Sequence, residues 1–185
     1  MINFTKYGWL VGCFCLLAGG LMAQSNAPTG GVAVPGAVIA AAKQTERARM
    51  ECVENRRLIC GRILRVLPEG LVVESGYTNL LRQPLIQSWL VPGTVTASRA
   101  NNLMESREQD AVCVGLVFLT DLPRKRGTKP HQYDYVIIRG YPTGNYNYHS
   151  MGEIHKTVRC FSASLEKAVK WKLTVMEGEA AAVKP

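Results

Sequence analysis

A chain of 185 residues that is 47% hydrophobic and 19% charged is made like one folded domain with a leader and tails, which excludes a disordered chain. Its 22 basic and 14 acidic residues give a formal charge of +8, which favours anionic partners such as nucleic acid, acidic glycans or lipid head groups. Charge constrains association rather than fold, and the same balance suits a basic cell-envelope protein with no such ligand.

Residues 1–23, "MINFTKYGWLVGCFCLLAGGLMA", have a short polar start with Lys6, an apolar core from Trp9 to Leu17 and small residues before Gln24. That pattern predicts a signal peptide cleaved after Ala23, and so export to the periplasm or the outside. The apolar core is too short for a stable span and is interrupted by Gly12, so no transmembrane anchor is expected after cleavage. Cys13 and Cys15 precede the small residues, which argues against a lipoprotein signal. Cleavage removes Lys6 and no acid, leaving a charge of +7.

Residues 24–36 are rich in Pro, Gly, Ser and Asn and read as a flexible linker. From Ala37 to Leu58 there is no Pro or Gly. Val38, Ala41, Thr45, Ala48 and Cys52 follow a three-four spacing, so a helix is expected over about 37–55, within a segment ending at 57. Its apolar stripe is weak, which predicts a helix that leans on the domain.

The β region, 58–175, begins with "LICGRILRVL", where Ile63-Leu64 breaks the alternation and suggests a bulge or a strand covered on both faces. Pro68-Glu69-Gly70 reads as a tight turn, with Gly70 taking a positive φ, and "LVVES" as the return strand. Residues 86–97 read as a further strand pair around Pro92-Gly93, and residues 98–108 as a short helix capped by Ser98 or a polar loop. "VCVGLVFL", 112–119, is the expected central strand. A charged loop over 123–131 leads to "YDYVIIRGY" and then to a last hairpin with Gly152 near its tip. Residues 162–173 suit a short basic helix capped by Ser162 or Ser164, and 176–185 a frayed tail. The sum is a mainly β protein: a small OB-like or SH3-like β-barrel with an N-terminal helix and a short C-terminal helix.

Gly61 through Glu74, "GRILRVLPEGLVVE", resembles the first hairpin of the staphylococcal-nuclease branch of OB barrels. It also resembles small exported bacterial barrel proteins of unassigned activity, a likeness that extends to residues 141–161, "YPTGNYNYHSMGEIHKTVRCF". The nuclease resemblance implies an acidic Asp-Gly-Asp-Thr turn that helps bind Ca²⁺. Here the turn is Pro68-Glu69-Gly70-Leu71, and Glu69 alone cannot satisfy a cation that wants several oxygen ligands. The likeness therefore implies the fold and argues against the hydrolytic chemistry.

No nucleophile elbow, phosphate loop or dinucleotide fingerprint occurs, and no catalytic residue, metal or cofactor is expected. His149, Glu153 and His155 could converge on Zn²⁺ across a hairpin tip, but their spacing matches no established site, and exposed loop residues explain it equally well. Cys160 near either histidine could in principle be a nucleophile, though a buried or bridged cysteine suits the compartment better. The four cysteines beyond the leader, Cys52, Cys60, Cys113 and Cys160, allow two disulfides in three pairings. Cys52–Cys60 would tie the helix to the first strand, whereas Cys113 and Cys160 sit in apolar runs and equally suit free thiols.

The remaining signal is basic and aromatic. Arg124, Lys125, Arg126 and Lys129 crowd one loop, with Tyr133, Tyr135, Tyr141, Tyr146 and Tyr148 following. Stacking rings beside a basic groove suit single-stranded nucleic acid, each stacked base being worth ~1–3 kcal/mol. Alternating tyrosines are equally ordinary strand residues. The expected function is thus an exported, non-enzymatic binding or assembly module whose partners are envelope proteins or anionic polymers. A polyanion-binding OB-like protein and a divergent hydrolase are the alternatives.

Overall fold

The computed structural model describes residues 36–81, 89–123, 128–149 and 155–182. They form a mixed six-stranded sheet with two helices, most of the regular structure being strand. Helix α1 spans Gly36–Glu54, where the absence of helix breakers predicted it. Only its second half is seated: Ala48 and Cys52 are buried, whereas Val38 and Ile39 are exposed.

Strands β1 (Arg57–Val66) and β2 (Leu71–Ser75) form the first hairpin. The register slips between Ile63 and Arg65, at the break in alternation. On the other edge of β1 the backbone of Ile63 bonds to the 131–134 turn, donating to Asp134 O at 2.8 Å and accepting from Tyr133 N at 2.8 Å. In the hairpin turn, Leu67 and Gly70 exchange backbone hydrogen bonds. Gly70 is not among the glycines with positive φ, contrary to expectation. A Cβ there would meet the Leu119 carbonyl oxygen at 2.4 Å, so the close approach of the next strand is what demands glycine.

A 3-10 turn over Thr78–Leu81 follows, then the two-residue strand β3, Leu90–Val91. The expected strand pair over 86–97 is reduced to β3: residues 86–88 lie outside the described residues, and the chain beyond Pro92 turns without pairing. No helix forms over 98–108. Its side chains are instead committed to distant partners, Arg99 to Glu74 and Glu105 to Arg159, and Asn102 takes a positive φ of 58°. Tertiary ion pairs have outweighed local helix preference.

Strand β4 is Gly115–Thr120, shorter than the expected 112–119, because Gly115 has a φ of 105° and Val112 makes an isolated bridge to Leu58. Strand β5 (Tyr135–His149) runs straight into the hairpin with β6 (His155–Ser162), and the tip at Gly152 lies outside the described residues. β5 changes neighbours midway: Tyr135–Gly140 pair with β1, and Tyr141–His149 pair with β6. A bulge between Pro142 and Asn145, with Gly144 at a φ of 87°, absorbs the change. β4 lies antiparallel to β2 and parallel to β6.

Helix α2 spans Leu165–Ala182, longer than the short helix expected, so most of the supposed tail is helical. Ser164 Oγ accepts from Lys167 N at 3.5 Å as its N-cap. Ser162 Oγ accepts from Ser164 N and donates to Asp121, which also receives Lys167 Nζ. The ends of β4 and β6 are thereby latched to the start of α2, and α2 packs on α1.

One apolar cluster, including Ile59, Ile63, Val73, Val117, Val136 and Phe161, fills one side of the sheet. Two more lie on the alternate residues. Cys60, Tyr77, Leu80 and Tyr135 group near the 3-10 turn, and Val72, Phe118, Tyr148 and Val158 group over β2, β4, β5 and β6.

Candidate functional site

The basic and aromatic residues expected to bind polyanions are only partly among the described residues. Arg124, Lys125 and Arg126 lie outside the described residues, and Lys129 is exposed. Tyr133 is exposed too, with the Arg62 guanidinium 5.7 Å from its ring centre. Tyr135 is buried edge-on against Tyr77 at 5.5 Å. Tyr146 stacks on Phe118 at 3.7 Å, and Tyr148 is buried beside them in the same cluster. Tyr133 and Tyr135 share sequence parity, yet the positive φ of Tyr133 (73°) takes it out of the strand.

The four cysteines are free, three of them buried. Burial pushes the Cys60 and Cys113 thiols up to about 12 and raises those of Cys52 and Cys160, which keeps them in the weakly nucleophilic form. Glu153 and the side chain of His149 lie outside the described residues, and His131 and His155 are exposed. Among the described residues no group of His, Cys, Asp or Glu is placed to hold a metal.

The structure instead assembles a cleft of about 330 Å³ between the two helices and the sheet. Five segments of chain meet there, which is why no local spacing announced it. Trp171 of α2, 38% exposed, forms an apolar wall with Pro142 and Phe161. Its seat depends on Gly144, where a Cβ would stand 2.7 Å from the indole Cζ2. Lys172 of α2 reaches Glu51 of α1 at 3.0 Å across the cleft. On the sheet side Glu105 takes both terminal nitrogens of Arg159 at 2.7 Å each, as well as Val114 N at 3.3 Å. Arg57 stands 3.8 Å from the same carboxylate, and its guanidinium donates to the carbonyls of Arg56, Arg107 and Glu108.

A common pattern underlies these pairs: among the described residues, four carboxylates are each bracketed by two cations. Glu51 lies between Arg47 and Lys172, and Glu105 between Arg57 and Arg159. Glu74 lies between Arg62 and Arg99, and Asp110 between Arg56 and Arg139. The excess of basic residues is thus partly held as triplets, each of net charge +1.

The pairs are expected to contribute to stability at the acid end of the pH range. The Lys172 hydrogen bond lowers the Glu51 carboxyl, and the Arg56 hydrogen bond lowers Asp110. Burial alone would raise Glu105 and Asp121, but hydrogen bonds from Arg159 and from Lys167 outweigh it and both are lowered. A carboxylate whose folded pKa is depressed contributes stability above its unfolded value and loses it as pH falls through the folded one. The melting temperature is therefore expected to hold between about pH 7 and 5 and to drop steeply below about pH 4. A melting temperature unchanged down to about pH 2 would show that these pairs do not differ between folded and unfolded chains.

No protein-family model matches this chain, and no curated protein or solved structure matches it significantly. The site must therefore be judged on its own geometry. No helix among the described residues is long and apolar enough to cross a membrane.

Proposed function

We propose that this chain is an exported, non-enzymatic binding module built on an OB-like barrel, with a small-ligand site in the cleft beside Trp171. Export rests on the leader pattern of residues 1–23. The barrel reading is supported by the pairing of β1 with both β2 and β5, which would link β1, β2, β4, β6 and β5 into a ring. Among the described strands β4 and β6 pair in parallel while the other strand pairs are antiparallel, which favours the OB-like order over an SH3-like meander. Two observations favour binding over turnover: the thiols are raised by burial, and the cleft carboxylates are held by cations.

The observation that carries the reading is the cleft, where a partly exposed indole stands among fixed charges in a volume at the small end of ligand pockets. The test is a tryptophan-emission titration of the purified chain with an aromatic acid, an aromatic amine, a neutral aromatic and a disaccharide. A saturable change with at least one class is expected, lost in Trp171→Phe, with the ligand recovered chemically unchanged. Silence across the panel would sink the binding site, and a converted ligand would sink the non-enzymatic reading.

A polyanion-binding role is supported by the net positive triplets around Glu74 and Asp110. It predicts binding to single-stranded DNA that weakens steeply with salt.

A further inference from the structure

We infer that the ligand of this cleft is a small organic anion with a flat apolar body, lying on Trp171 and facing Lys172 and Arg159. The inference rests on the cleft being a ligand site and adds the class of ligand. It comes from counting what a ligand would find unused. Three cations line the cleft, Arg57, Arg159 and Lys172, against two carboxylates, Glu51 and Glu105. Both carboxylates are taken. Glu105 accepts from Arg159 through both oxygens and from Val114 N, and Glu51 accepts from Arg47 and Lys172.

Donors remain. An ammonium carries three N–H groups and a guanidinium five. Lys172 gives one contact to Glu51, and Arg159 uses its two terminal nitrogens on Glu105 and Val114 O. Arg57 is spent mainly on backbone carbonyls and serves to position the rim. A cationic ligand would meet no free acceptor charge and would be repelled by the surplus cation. A neutral flat ligand would use the indole wall and leave the donors to water. An anionic one uses both, and hydrogen bonds to charged donors are stronger than neutral ones.

The test is calorimetric titration of the purified chain with naphthoate and with naphthamide, which share the flat body and differ in charge. Naphthoate is expected to bind about tenfold tighter, the difference a charge-assisted hydrogen bond supplies. Lys172→Gln should remove most of that preference and leave naphthamide binding unchanged. Trp171→Phe, which keeps an aromatic wall and so keeps the fold, should weaken both ligands alike. Equal binding of the two overturns the anion inference but leaves the cleft a ligand site. Binding of neither overturns both. Naphthoate binding that dextran sulfate displaces, and that Trp171→Phe does not alter, overturns it in favour of a polyanion surface.

Discussion

Replacing Gly61 with alanine is expected to destabilise the protein by about 3 kcal/mol, more than an added methyl costs in most cores. Gly61 sits in mid-strand on β1, opposite Ser75 on one side and Val136 on the other. A Cβ there would stand 2.2 Å from the Glu74 carbonyl oxygen and 2.7 Å from Ser75 Cα. Both are backbone atoms, so no side chain can swing aside. β1 cannot retreat either, because β5 holds its other edge. The strand must bend or one ladder must open, and β1 begins at Arg57, so the cleft rim would move with it. Gly178→Ala is the matched control: nothing lies within 4 Å of a Cβ there, and α2 should gain up to about 1 kcal/mol of helix propensity. Urea midpoints of the two variants decide the matter. A Gly61→Ala loss below about 1 kcal/mol would mean that β1 is free to shift, and that its pairing with β5 is weaker than the ladder implies.

Much of this frame was legible in the sequence because it is local. A run without Pro or Gly marks α1, Pro68-Glu69-Gly70 marks the first hairpin, and the Ile63-Leu64 break marks the bulge. The misses have physical causes. The last helix runs on past the 162–173 expected for it, because one exposed helical glycine, Gly178, costs only about 1 kcal/mol and the alanines after it are strong helix formers. Residues 98–108 have a helical composition, yet Arg99 and Glu105 are drawn away by β2 and β6. The cleft could not be read at all. Glu51, Glu105 and Trp171 are far apart in the chain, and only the packing of α2 on α1 and the switch of partners along β5 bring them together. The tyrosines were visible but their surroundings were not. Alternation says that two residues share a face, and it cannot say whether that face is covered.

That question has a direct test in Phe118→Ala, expected to cost about 3–5 kcal/mol. Phe118 is 2% exposed although it points away from the main core, which lies on the alternate residues Val117 and Leu119. Tyr146 covers it with a nearly parallel ring, and Tyr148, Val72 and Val158 complete the cluster. A ring placed to stack on a ligand keeps a free face in the unliganded protein. Phe118 and Tyr146 each spend a face on the other, so that energy appears in stability. Tyr146→Ala should therefore also destabilise, and the double variant should lose less than the sum of the two, with a coupling of about 0.5–1.5 kcal/mol from the stacked pair. A binding platform predicts the opposite pattern: small effects on unfolding, no coupling, and a loss of affinity for single-stranded nucleic acid of ~1–3 kcal/mol per ring removed. Unfolding curves and binding isotherms on the same three variants separate the two. A stable Tyr146→Ala protein that has lost nucleic-acid binding would return the function to the tyrosines and take it from the cleft.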